Sequence, residues 1–304
     1  MRDASAPKAA IPKAAIIVPS YNRPEQLRRC LGALLAQDHP SFEVIVVDDG
    51  SSPPLAGVCA PFAPRVRYIR QDNAGPAAAR NTGAASSKAA FIALTDDDCL
   101  PRPDWLATLQ AAHGGDDARL VGGRVENGLP ADRFAAASQS LCDFLYDYFG
   151  ASSGKMPFFT SNNMGLGRAA FEKLGGFDKT FPLAAAEDRE FGLRWREEGG
   201  ESLYVPNAVI DHFHAMTLRK FWRQHSNYGA GAYHLHRVLD ARRSDQPKHE
   251  PLRFYLDLLT WPVRQRGLRG TGQMVLMGLS QVAMVNGFAR AARRGFAPAA
   301  RRAR

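Results

Sequence analysis

The chain of 304 residues is poor in cysteine, in long apolar runs and in acidic charge. Its four cysteines, Cys30, Cys59, Cys99 and Cys142, form no C-x-x-C pair and no Cys/His cluster of zinc-finger spacing. That excludes a disulfide scaffold and predicts reduced thiols in a cytosolic protein. No stretch reaches the ~18 consecutive apolar residues of a bilayer-spanning helix. The nearest approach, residues 274–288, is broken by Ser280, Gln281 and Asn286. The N-terminal residues carry Arg2, Asp3, Lys8 and Lys13 without an apolar core, so no secretory signal is predicted. Asp and Glu number 30 against 39 Lys and Arg, a net charge of +9. Such a surface favours phosphorylated ligands, anionic membrane or nucleic acid. No nucleic-acid motif accompanies it.

The remainder is ordinary globular composition, 45% hydrophobic and 23% charged. Residues 1–13, rich in Ala, Pro and Lys, read as a loose arm. Apolar runs at 14–18, 42–47, 66–69 and 89–94 predict strands, and the periodicity at 25–36 and 75–85 predicts helices between them. Repeated strand–helix–strand units imply an α/β fold with a mostly parallel sheet flanked by helices. In such sheets ligands bind beyond the carboxyl ends of the strands. The polar clusters after Val18, Val47 and Leu94 therefore fall on one edge. Further along, 120–125 reads as a strand, 134–149, 169–174 and 187–198 as helices, and 152–154 as a loop.

Asp96-Asp97-Asp98 ends the strand at 89–94. Crowded carboxylates suit a divalent ion that also binds phosphate, and Asp96 and Asp98 would share one side of an extended segment. The bland alternative is a solvated acidic turn. Asp49 could accept from a base or ribose, or simply belong to an Asp-Gly-Ser-Ser turn. Asn73 and Arg80 form a third polar cluster, readable as phosphate contacts or as a helix start. Glu187-Asp188 opens a helix, where acids favour the dipole, but an acid there could also act as a general base. His212 and His214 have H-x-H spacing, compatible with a metal or with a surface pair.

Taken in order, several segments resemble the family 2 glycosyltransferases, which have the GT-A fold and invert the anomeric centre. They are Ile16 to Arg23, Phe42 to Ser51, Ala78 to Gly83, Thr95 to Asp98 and Pro103 to Leu106, then Ser161 to Met164, Gly175 to Asp178 and Glu187 to Glu190. The resemblance implies a nucleotide-sugar donor, with UDP as the expected nucleotide, and Mg²⁺ or Mn²⁺ as cofactor. It places Pro19, Tyr21, Arg23, Asn73, Asp49, Arg80, Asp96 and Asp97 in the nucleotide pocket. Asp98, with Asp96 and either His212 or His214, would hold the metal. Asn162 and Asn163 would lie near donor sugar or acceptor, and Asp188, beside Glu187, would be the base. A domain over 14–215 follows, divided into a nucleotide half (14–110) and an acceptor half (111–215). The implied setting is synthesis of a surface polysaccharide or glycolipid, in the cytoplasm.

Two rivals remain at this stage. A sugar-1-phosphate nucleotidyltransferase would need a Gly-rich loop after the first strand, where this chain has Pro19-Ser20-Tyr21-Asn22-Arg23-Pro24. A non-catalytic binding protein on the same scaffold would not need Asp96, Asp98 and Asp188. Residues 216–304 read as a basic helical region. It would be either a subdomain packed on the catalytic domain or an anchor at the inner face of an anionic membrane.

Overall fold

The computed structural model describes residues 13–150, 156–181, 183–242 and 250–295. The expected arm, except Lys13, and the loop at 152–154 lie outside them. In chain order the elements are β1 (Ala14–Ser20), α1 (Pro24–Leu35), β2 (Phe42–Asp48), α2 (Ala56–Cys59), β3 (Val66–Arg70), α3 (Pro76–Ser86), β4 (Phe91–Leu94) and β5 (Cys99–Pro101). There follow α4 (Trp105–His113), β6 (Arg119–Asn127), α5 (Arg133–Tyr148), β7 (Met164–Gly167), α6 (Arg168–Leu174), α7 (Glu187–Glu197) and β8 (Glu201–His212). Three long helices close the chain: α8 (Leu218–Arg242), α9 (Leu252–Arg266) and α10 (Thr271–Arg294).

The sheet order is β3-β2-β1-β4-β7-β6-β8-β5. Strands β1 to β4 are mutually parallel, β7 is antiparallel to both β4 and β6, β8 is parallel to β6, and β5 is antiparallel to β8. The sheet is thus mostly parallel, with β5 and β7 reversed. The continuous apolar runs of β1 and β2 have a simple cause, because both faces are covered. Ile16, Val18, Val44 and Val46 point into one core, and Ile17, Ile45 and Val47 into the other. Helix α3 lies close on the second face because Gly83 leaves no side chain between it and Ile17.

The register slips between β6 and β8 after Gly123, and pairing resumes at Val209. Pro206 lies in that interval, and a proline has no N–H to give a ladder. Helix α5 is capped by Asp132, whose one oxygen accepts from Phe134 and Ala135 N–H while the other accepts from Met216 N–H at 2.8 Å. That last bond fixes the entry into α8. Helices α8 and α10 cross closely, Gly229 facing the Met284 backbone and Gly287 the Ser226 backbone. Among the described residues no helix is long and apolar enough to cross a membrane.

Candidate active site

The carboxyl ends of β1, β2 and β4 open on one wall of a cleft of about 1440 Å³. Pro19, Tyr21, Arg23, Asp49, Asn73, Arg80 and Asp96 to Asp98 line that wall. Glu187, Asp188, Asn162, His212 and His214 line the same cleft. Their convergence has local causes.

After β4 the chain does not stay extended. Cys99 N–H donates to the Asp96 carbonyl at 3.1 Å, which makes Asp96 to Asp98 a turn. The alternation expected of an extended segment therefore fails, and the three carboxylates take three directions. Asp96 meets Arg80 at 2.7 Å. Asp97 turns inward, accepting from Ser20 Oγ at 2.6 Å and Arg23 at 3.0 Å. Asp98 receives Arg23 at 2.9 Å and faces His212 Nε2 at 3.3 Å. Burial pushes Asp97 up to about 7, despite Arg23 and Ser20. Burial also opposes ionisation of Asp98, but the His212 hydrogen bond and charge, together with Arg23, hold it well below the usual carboxylate range.

The short strand β5 explains why Asp98 meets the histidines. It begins one residue after Asp98 and pairs with the end of β8, Cys99 opposite His212. Phe213 N–H then donates to the Asp98 carbonyl at 2.9 Å. His214 follows, with its ring 5.2 Å from that of His212. Ligand atoms of Asp98, His212 and His214 lie within 4.8 Å of one another. Both histidines belong to this cluster; the expectation had one or the other. The carboxylate of Asp96 is not part of it, because it turns toward Arg80 instead. His214 is neutral, brought down to about 4 by burial and by the His212 charge. His212 loses some basicity to burial, yet Asp98 raises it overall. One anionic oxygen and two imidazoles form a donor set that suits a divalent cation. Binding would require both imidazoles neutral and would compete with any proton on His212.

The opposite wall is the start of α7. Ala186, with φ of +70°, leads into the helix, and Gly231 of α8 lets the neighbouring Ala185 backbone pack closely. Glu187 is buried and meets Arg80 at 3.1 Å. Arg80 is itself only 2% exposed, so one guanidinium ties the Asp96 turn to the first residue of α7. Burial, then the Asp188 charge, pushes Glu187 up to about 7. Asp188 is half-buried, accepts from Arg189 N–H at 2.8 Å, and is raised by burial. One turn on, the fully buried Glu190 holds Arg194 and Arg242 at 2.6 Å each, which clamps α7 to the end of α8.

Several expected binding residues are already committed within the protein. Both oxygens of Asp49 accept bonds, from Gln71 at 2.7 Å and from Ala74 and Gly75 N–H at 2.9 Å. The Asn73 amide donates to the Asp49 carbonyl at 2.9 Å. Arg23 lines the nucleotide side but spends its guanidinium on Asp97 and Asp98. Asn163 requires correction as a contact to sugar or acceptor. It is fully buried, accepts from Trp105 Nε1 at 2.8 Å, and donates to the carbonyls of Arg124 and Ala208. Its neighbour Asn162 does line the cleft, and its buried Oδ1 has no hydrogen-bond partner among the described residues. Tyr21, 49% exposed, is free to stack on a base. The Arg80–Glu187 bridge was not foreseen, because 107 residues separate the two.

The family model "Glycosyl transferase family 2" matches residues 15–175. Glycosyltransferase AglE of Haloferax volcanii is 34% identical over 134 residues, 42% of this chain and 44% of that protein. The pre-mycofactocin glycosyltransferase of Mycobacterium tuberculosis is 31% identical over 224 residues, 71% of this chain and 46% of that protein. The chain thus spans about half the length of the curated relatives it matches. Among solved structures, the mannosyltransferase PcManGT from Pyrobaculum calidifontis, in complex with GDP-Man and Mn²⁺, has a TM-score of 0.62 at 20% identity. It matches 96% of this chain and 78% of its own, a likeness of fold.

Proposed function

The chain belongs to glycosyl transferase family 2 and has the GT-A fold, and from that premise we propose that it moves a sugar from a nucleoside diphosphate-sugar to a hydroxyl acceptor with inversion. One observation carries the reading. The Asp98–His212–His214 cluster and the Asp188 carboxylate line one cleft, and Arg80 bridges their two supports. A base and a separate diphosphate site are the minimum for a single displacement with inversion.

The residues divide the work. Pro19 and Tyr21 receive the base, and the pocket wall held by Asp49 and Asn73 shapes the ribose site. Asp98, His212 and His214 would hold Mg²⁺ or Mn²⁺, which when bound supplies positive charge for a diphosphate leaving group. Asn162 lines the cleft where the sugar or acceptor would lie. Asp188, raised by burial, accepts the acceptor's hydroxyl proton in its ionised form as the oxygen attacks. A single displacement needs no covalent sugar–enzyme bond, so one base suffices. UDP is the expected nucleotide, and GDP is the rival because the neighbour with the same fold holds GDP-Man. The acceptor belongs to polysaccharide or glycolipid synthesis.

The test is thermal stability with UDP, GDP and dTDP, each with and without Mn²⁺, followed by transfer assays on Asp188→Asn. A nucleotide that stabilises more strongly with Mn²⁺ is expected. Asp188→Asn should keep that shift and lose about 10²–10⁴-fold in transfer rate. No shift with any nucleotide would sink the reading.

A further inference from the structure

Resting on that reading, we propose that the acceptor carries an apolar tail and that the cleft has a built arm to receive it. At about 1440 Å³ the cleft exceeds the ~300–1,000 Å³ of ordinary small-molecule sites. A nucleotide-sugar accounts for the polar part at the ends of β1, β2 and β4. Helices α5, α9 and α10 add apolar side chains to the lining, among polar ones such as Asp143 and Gln281. Leu145 and Phe149 at the end of α5, Phe254 and Leu258 of α9, and Met284 and Phe288 of α10 carry the cleft onward.

These walls are preformed. Phe144, Phe254 and Leu258 belong to one buried cluster with Met277, and the Gly229 and Gly287 crossings hold α10 hard against α8. An apolar recess of this kind is disfavoured when filled with water and favoured when filled with hydrocarbon. The arm also has a mouth. Tyr255 and Val285 line the cleft, yet they are 37% and 69% exposed. From Val285 the exposed apolar residues continue along α10 through Val282 and Val275, at helical spacing. On α9, Leu252 and Leu256 are likewise exposed. A hydroxyl-bearing head at Asp188 with an alkyl or isoprenoid chain running out between α9 and α10 satisfies all three features: excess volume, apolar lining and apolar exit. A purely hydrophilic glycan acceptor would account for the volume but not for the apolar lining or the apolar exit.

Equilibrium dialysis of n-butanol, n-octanol and n-dodecanol against the full chain tests the arm without knowledge of the acceptor. Affinity should climb about four-fold per methylene buried. Ala232→Phe and Ala289→Phe place a ring where small side chains now line the cleft. Each should weaken octanol binding by about ten-fold, the worth of roughly two buried methylenes. Both should keep the nucleotide-dependent thermal shift, which reports that the fold and donor site survive. Octanol binding no better than butanol overturns the proposal. Equal octanol affinity in wild type and both variants also overturns it, since the chain would then be adsorbing to the exposed stripe. Absence of a nucleotide shift in the wild type would instead remove the glycosyl-transfer reading, and the alkanol results would still decide the arm.

Discussion

Replacing Arg80 by methionine tests the connection between the two walls of the cleft. Arg80 and Glu187 are both buried, whereas Asp96 is about a third exposed (31%). The Asp96 contact therefore contributes on the surface-pair scale of about 0–1 kcal/mol. Removing one partner of a buried pair costs about 3–5 kcal/mol when the other must stay charged. Glu187 need not stay charged. Its carboxyl sits at about 7 in the wild type, well above its unfolded value, because burial and Asp188 outweigh Arg80. A carboxyl raised in the folded state contributes stability below its unfolded pKa, and that contribution is lost as pH rises toward the folded pKa. Without Arg80 the folded pKa rises further, so the loss extends to higher pH. Below pH ~6 Glu187 is protonated in both proteins, and Arg80→Met should be within about 1 kcal/mol of wild type. Above pH ~7 the wild-type curve levels while the variant keeps falling, by up to about 1.4 kcal/mol per pH unit.

The assay is urea denaturation from pH 5 to pH 9 on wild type, Arg80→Met, Glu187→Gln and the double variant. The double variant should remove the pH-dependent gap, and the cycle should show a coupling well above ~0.5 kcal/mol at pH 8. A gap that is constant across pH, or additive single variants, would refute the claim that a buried, titrating Glu187 is what Arg80 holds.

The remaining expectations concern catalysis, metal and core. Since Asp188 must be ionised to act and is raised by burial, transfer should fall as pH drops, with an apparent pKa above the ordinary carboxylate range. Glu187→Gln mimics the protonated acid that Glu187 already is on the acid side and should leave that limb in place, as read from kcat against pH. His214→Ala should abolish the Mn²⁺-dependent part of the nucleotide thermal shift and leave the metal-free part; an unchanged Mn²⁺ response would remove His214 from the metal set. Asn163→Ala should unfold at clearly lower urea, by about 2–4 kcal/mol, since Trp105 Nε1 and two carbonyls lose a buried partner. A loss under about 0.5 kcal/mol would mean that water replaces those bonds.

How much of this was legible in the sequence depends on the range of the interaction. The apolar runs of β1, β2 and β4 marked strands because burial on both faces demands it, and the polar ends of those strands fell on one edge as the parallel order requires. The three-residue β5 was not legible, since so short a segment has no period of its own. Its pairing with β8 is nonetheless what brings Asp98 to His212 and gives the candidate metal set one carboxylate and two imidazoles. Asn163 misled for a related reason. An Asn-Asn pair looks like ligand chemistry, and only the fold shows that one amide serves Trp105 while the other faces the cleft.

The same logic bears on the acidic residues of α7. In the sequence Glu187-Asp188 reads as dipole capping or as a general base, and Glu190 follows in the same turn. In the fold they separate by partner. Glu190 is fully buried and matched by Arg194 and Arg242, so it fixes the helix. Glu187 is matched by Arg80, which reaches across to the Asp96 turn. Of the three, Asp188 has no salt bridge among the described residues, and it lines the cleft. A half-buried carboxylate with no salt bridge among the described residues is costly to retain for stability, even with the charges of Arg80 and Arg189 nearby. A role in accepting a proton within the cleft would account for its retention. The two outer acids, each spent on arginine, give α7 the rigidity that such a role requires.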